Sequence, residues 1–154
     1  ADLKIFHPNS IFLGSFFRWD SFKNFEAATE YGFSSNSSNK KTGSWELADI
    51  DCHFISLHHF LKWHKFGFLR VFDNLSVEIR YGRISRKKAI QNLEETGLQK
   101  PCEDIERFCD FMEKPVDWFW STTERFRNKE IWIKEKNTWK IPGFITQEWD
   151  WEKA

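Results

Sequence analysis

The sequence predicts a mainly α-helical fold with a short N-terminal strand and a C-terminal β-hairpin. Three observations carry that expectation. From Ile50 to Phe126 apolar residues recur every three or four positions in successive segments, the spacing of amphipathic helices. Gly67, Gly82, Gly97, Pro101 and Pro115 punctuate those segments where helices stop or start. The tail from Ile131 to Ile141 reads instead as two short strands about a polar turn near Lys136-Asn137.

In chain order, Ile11-Phe12-Leu13-Gly14-Ser15-Phe16-Phe17 is a short apolar run, expected as a buried strand turning toward Arg18-Trp19-Asp20. Asp20 or Ser21 can cap a helix with Phe22, Phe25, Ala28 and Thr29, ending near Gly32. Ser34 to Gly43 is too polar for a core and makes the best internal boundary. From Ile50 a helix is expected with Phe54, Leu57, Leu61 and Phe60 on one side, up to Gly67. In the next, Phe68, Phe72, Leu75 and Ile79 fall on one stripe at about 100° per residue, with Arg70, Asp73 and Arg80 nearly opposite.

Gly82 ends that helix, and Ser85 caps another bearing Ile90 and Leu93, with Ile84 able to staple onto Ala89. After Pro101 come Ile105, Phe108, Cys109 and Met112, and from Pro115 come Val116, Phe119, Trp120, Thr123 and Phe126. The expected organisation is a strand-loop-helix over 1–33, a loop over 34–49, a helical domain over 50–128, and a hairpin and tail over 129–154. No repeat of 20 to 50 residues interrupts it.

The 154 residues suffice for one domain, or one with an appendage. Positive and negative charges balance at 23 each, which argues against a broad attraction to nucleic acid or an anionic membrane. Cys52, Cys102 and Cys109 form no CxxC pair and are expected as reduced thiols of a cytoplasmic protein. No segment approaches the roughly 20 apolar residues of a membrane span, and the first residues lack a signal peptide's basic start and apolar run. The chain begins at Ala1 without Met, as a processed chain or an excised piece would. Nine Trp and seventeen Phe exceed the needs of an ordinary core, so some aromatic surface is expected to meet a partner domain, a second subunit or a ligand.

Two chemistries compete at several positions. His53, His58, His59 and His64 lie on or near one helix, yet no HExxH occurs and adjacent His58 and His59 point apart, so a single functional His or surface His is favoured over a metal site. Arg70 with Asp73 is either the solvated side of an amphipathic helix or a substrate-facing surface. Arg83, Arg86, Lys87 and Lys88 crowd a helix start, where the macrodipole disfavours cations, and so suggest an anionic partner such as the phosphate of a nucleotide-sugar. Trp19 between Arg18 and Asp20 could stack on a pyranose or pack in an interface. No GxGxxG, GxxxxGK[ST] or GxSxG occurs, and the pairs Asp49 with Asp51 and Glu94 with Glu95 sit in ordinary polar sequence.

The stretch FGFLRVFDNLSVEIRYGRISRKKAI resembles the C-terminal region of N-acetyl sugar amidotransferases of lipopolysaccharide and surface-glycan pathways, typified by KFGxxRATDxxSxEIRxGRxxREEAI. Phe66, Gly67, Arg70, Asp73, Ser76, Glu78, Ile79, Arg80, Gly82, Arg83, Arg86, Ala89 and Ile90 match it. Phe12-Leu13-Gly14 with Arg18-Trp19-Asp20 is similar to the family's FLGxxxRWD, and Phe119 with Arg125-Phe126-Arg127 to its FWxxxxxFR close. His58 matches a His in a DxHxYLKxxKFG-like run.

The resemblance implies the C-terminal part of an α/β PP-loop enzyme of the adenine nucleotide α-hydrolase-like type. Such enzymes use ATP and Mg2+ to adenylate a substrate oxygen and displace AMP with ammonia, here from a glutaminase partner, turning an acetamido sugar into its acetamidino form. It implies Arg18, Asp20, His58, Arg70, Asp73, Arg80 and Arg83 as contacts to a nucleotide-sugar, with catalytic residues unassigned. The family's SGGxDS loop and cysteine cluster do not occur in these residues, while Val71-Phe72 and Lys87-Lys88 replace an Ala-Thr and a Glu pair. The expectation is a chain that needs no cofactor and turns over no ATP by itself, binds nucleotide-sugar weakly, and works with an N-terminal PP-loop domain. The alternatives are a non-catalytic interaction module with an aromatic docking surface and, less favoured at zero net charge, an RNA-binding appendage.

Overall fold

The computed structural model describes residues 10–35, 43–50, 52–146 and 148–153. Residues 1–9, 36–42, 51, 147 and 154 lie outside them, including most of the polar Ser34–Gly43 segment and Asp51. The chain forms two compact units, Ala1–Ser35 and Asn36–Ala154.

In the first unit the expected strand is a single 3-10 turn, Leu13–Ser15, followed by α1 (Ser21–Glu30). Ile11, Phe12, Leu13, Phe16 and Phe17 are all exposed. A strand is stabilised by neighbours that complete its backbone hydrogen bonds, and the described residues of this unit supply none. Helix α1 begins as expected, because the Asp20 carboxylate accepts from the backbone N–H of Phe22 (3.0 Å) and Lys23 (3.4 Å).

The second unit carries α2 (Ile55–Phe66), α3 (Arg70–Arg80), α4 (Arg86–Thr96), α5 (Cys102–Phe111) and α6 (Val116–Arg125). A hairpin of β1 (Ile133–Glu135) and β2 (Thr138–Lys140) and a 3-10 turn (Trp151–Lys153) follow. The strands are antiparallel with Lys134 opposite Trp139, and Lys136 takes the left-handed turn position at φ 56°. Helix α3 stops in a Schellman arrangement: Gly82 has φ 68°, its N–H reaches Ile79 O, and Arg83 N–H reaches Glu78 O. Ser85 Oγ then accepts from Lys88 N–H and starts α4.

Three expectations about faces are corrected. Helix α2 begins at Ile55 rather than Ile50, because the preceding segment is tied to α3 by Ser44 N–H donating to Asn74 Oδ1 (3.1 Å), and Asp49 sits at φ 61°. Its buried face is Leu57, Phe60, Trp63 and His64, while Leu61 is partly exposed. The inward face of α3 centres on Val71, Asn74 and Leu75, with Phe72 and Ile79 at its margin. Met112 and Phe126 follow the last turns of α5 and α6 and are exposed.

Two hydrophobic clusters share α2. Leu57 and Phe60 pack with Ile105, Cys109 and Phe119 of α5 and α6. Trp63, one turn on, packs with Leu69, Leu75, Leu93, Trp132 and Trp149. The Trp63 ring is fully buried, with Trp132 at 4.8 Å edge-on, Trp149 at 5.4 Å and Phe144 at 5.7 Å. The tail after the hairpin is therefore core. Of the nine tryptophans only Trp19 is exposed, so the tryptophans mostly serve the fold, whereas Phe12, Phe16, Phe17, Phe33, Phe66, Phe111 and Phe126 face outward.

Candidate functional site

The start of α3 meets the middle of α2 in a cluster of charges. Arg70, the first residue of α3, donates through Nε to Asp49 Oδ2 (3.1 Å), and its Nη1 lies 3.7 Å from Asp73 Oδ2. Lys62 Nζ donates to the same Asp73 oxygen at 2.7 Å and sits 4.5 Å above the Phe68 ring. His59 Nδ1 lies 3.9 Å from Asp49 Oδ2. A cation on the first turn of a helix opposes the macrodipole, and the two carboxylates offset it. The four charged side chains are only 18 to 34% exposed, so water screens their pairing less than it would a surface pair.

His59 is buried, and that burial lowers its pKa below the ordinary 6.5; Asp49 pulls it up, while Arg70, His58 and Lys62 push it down. The imidazole is neutral at pH 7, and the cluster balances two positive against two negative charges. It offers donors from Lys62 and Arg70 and acceptors from Asp49 and Asp73, a set that reads the hydroxyls and phosphates of a polar ligand. Gly43 lets the loop lie this close: a Cβ there would come within 2.7 Å of Asn74 Oδ1 and 3.1 Å of Arg70 Cγ.

Behind the cluster a cavity of about 20 Å³ is lined by Asp49, Cys52, His53, Ser56, Asn74 and Asp104, with room for about one water. Asp104 is fully buried, accepting from Ser56 Oγ (2.6 Å) and Arg107 Nη1 (3.1 Å), and so joins the start of α2 to α5.

Of the residues expected from sequence, Arg70 and Asp73 meet directly. His58 is exposed on α2, one turn before Lys62 and beside His59. Arg80 lies ten residues beyond Arg70, about 15 Å along the helix axis, and is exposed. Arg83 is near that far end, bonded to Glu78 (3.3 Å) and stacked on Tyr81 (4.6 Å). Arg18 and Asp20 belong to the first unit, where Asp20 serves as the helix cap. Lys62 and Asp49 carry no signal in the sequence, since nothing local links Asp49 to a residue 21 positions on, and His59 is one of four histidines that spacing alone does not tell apart.

Among the matched residues, Arg127 has a structural place. It is buried, bonds Glu124 Oε2 through Nε (3.1 Å) and Nη2 (3.0 Å), and lies over the rings of Trp132 and Trp139. Trp139 Nε1 donates to the other Glu124 oxygen, which ties α6 to the hairpin.

Residues 20–145 match the family model described as LPS biosynthesis protein WbpG-like, C-terminal domain. The chain belongs to this family. The WbpG-like match covers all of α1 to α6 and the hairpin, and so contains the whole charged cluster. It places the chain with lipopolysaccharide biosynthesis proteins, as a C-terminal domain. No curated protein matches the chain. No helix among the described residues of this WbpG-like domain is long and apolar enough to cross a membrane.

Proposed function

We propose that this chain is the C-terminal portion of an ATP-dependent N-acetyl sugar amidotransferase, which converts a sugar acetamido group to acetamidino in lipopolysaccharide O-antigen biosynthesis. The observation that carries the reading is the Lys62–Asp73–Arg70–Asp49 cluster. Arg70 and Asp73 belong to the amidotransferase-like motif, and the half-buried groups beside them suit a nucleotide-sugar. In this reading Arg70 and Lys62 hold phosphate or sugar oxygens, Asp73 and Asp49 accept from hydroxyls, and His58 borders the same face. Arg80 and Arg83 then serve a more distant part of the ligand, and Arg18 and Asp20 are proposed as further sugar contacts.

ATP and Mg2+ do not fit this chain. It has no glycine-rich phosphate loop, and its described residues form no group of three His, Cys, Asp or Glu side chains able to hold a cation. The proposal assigns both to an N-terminal PP-loop domain, with ammonia from a glutaminase partner, and this chain's residues bind and orient the sugar.

The test is co-purification with the PP-loop domain and measurement of AMP release on adding UDP-N-acetyl sugars with an ammonia source. Arg70→Ala is expected to lower that rate about tenfold to a hundredfold, the loss of a charge-assisted contact, while the chain still unfolds cooperatively, less stable by about 1 kcal/mol for the lost pairing with Asp49 and Asp73. No AMP release with any N-acetyl sugar sinks the reading. The exposed run Ile11, Phe12, Leu13, Phe16, Phe17 and Trp19 favours a second reading, a non-catalytic docking module. Unchanged activity in Arg70→Ala would select it.

A further inference from the structure

On another face of the second unit, α2, α5 and α6 leave an open groove of about 420 Å³, within the size range of small-molecule sites. Its walls are Leu61, Phe108, Trp118, Phe119 and Phe126. No acidic residue lines it. The polar groups in it are Thr122, Thr123, His64 and Lys65. His64 is buried, at 5% exposure. Burial, followed by the nearby Arg127 cation, pushes this imidazole down to about 4, so Lys65 supplies the groove's one formal charge at pH 7.

The charge is also placed at one end. Asn128 N–H donates to His64 O (3.1 Å), which brings the C-terminal ends of α2 and α6 together. Lys65 lies in the last turn of α2 and Arg125 in the last turn of α6. Neither forms an ion pair with a described residue, although the chain has as many carboxylates as cations; Lys65 lies 5.1 Å from the centre of the Phe66 ring. An apolar trough whose one lining cation, Lys65, sits at the end of α2 without an ion pair to a described residue complements a ligand that is apolar along its length and anionic at its tip.

We propose that this groove binds a single-chain anionic amphiphile, with its alkyl chain along Leu61, Phe108, Trp118 and Phe119 and its anionic head at Lys65. The site is separate from the charged cluster at Arg70 and does not depend on the amidotransferase reading. Phe126, which is 74% exposed, covers the open side of the bound chain.

The full chain is titrated by calorimetry with dodecanoate below its micelle concentration, and in parallel with dodecylammonium. Saturable one-site binding of dodecanoate is expected, about tenfold or more tighter than dodecylammonium, as one charge-assisted contact implies. Lys65→Glu, at an exposed position, is expected to reverse that preference. Thr122→Trp, which fills the trough, is expected to abolish binding of both; if it does not fold, Leu61→Lys takes its place. Absence of saturable binding, equal affinity for the two head groups, or binding untouched by the filling variant overturns the proposal. So does self-association in sedimentation velocity that the filling variant abolishes, since a second copy would then cover the groove.

Discussion

His64 shows what burial does to one side chain. In the unfolded chain it takes a proton near pH 6.5, whereas in the fold, desolvated and beside Arg127, it does so only at about 4. A depressed folded pKa means that the unfolded state binds the extra proton first. The stability is therefore fully present above about pH 6.5 and is lost as pH falls through about 4. Urea unfolding should show a loss on the order of 3 kcal/mol across that window from this group, and His64→Gln should remove that share of the slope. The lowered pKa of His59 acts in the same direction and remains in the variant. At this scale the sequence disclosed Arg70 and Asp73 through spacing and motif. It hid how Lys62, Asp49 and His59 join them, because that partnership exists only once α2, α3 and the 43–50 loop are packed.

Element ends were more legible than element faces. Asp20, Ser85, Gly67, Gly82 and Gly97 cap or stop helices where expected, since capping depends on a few adjacent residues. Gly67 does a second task that no local pattern reveals. At φ 73° it ends α2, and a Cβ there would come within 2.8 Å of Ile141 Cδ1 and 3.2 Å of Ile131 Cγ2 on either side of the hairpin. Gly67→Ala combines left-handed strain with a clash, and thermal unfolding should report a loss of about 1 to 3 kcal/mol. Gly82→Ala, whose Cβ would meet nothing within 4 Å, should lose only the strain share, about 1 kcal/mol. The run Ile11–Phe17 misled for the opposite reason: its composition suits a strand, but strand formation depends on neighbours.

Across the second unit, α2 carries both hydrophobic clusters and the tail closes one of them. Trp149, well beyond the hairpin turn at Lys136-Asn137, is buried against Trp63 and Phe144. Trp149→Ala should cost about 3 to 5 kcal/mol, the range for emptying an aromatic site in a core. Trp19→Ala, at an exposed position, should stay within about 0.5 kcal/mol, so melting curves of the two variants separate core from surface aromatics. By itself the sequence determined the helical class, the caps, the hairpin and the motif at Arg70, because each rests on residues within one or two turns of one another. Only the tertiary structure decided that the tail is core, that Arg127 is a strut, and that Lys62 and Asp49 join Arg70. Those outcomes depend on burial and charge pairing between residues far apart in the chain, whose energies exist only after packing has excluded water.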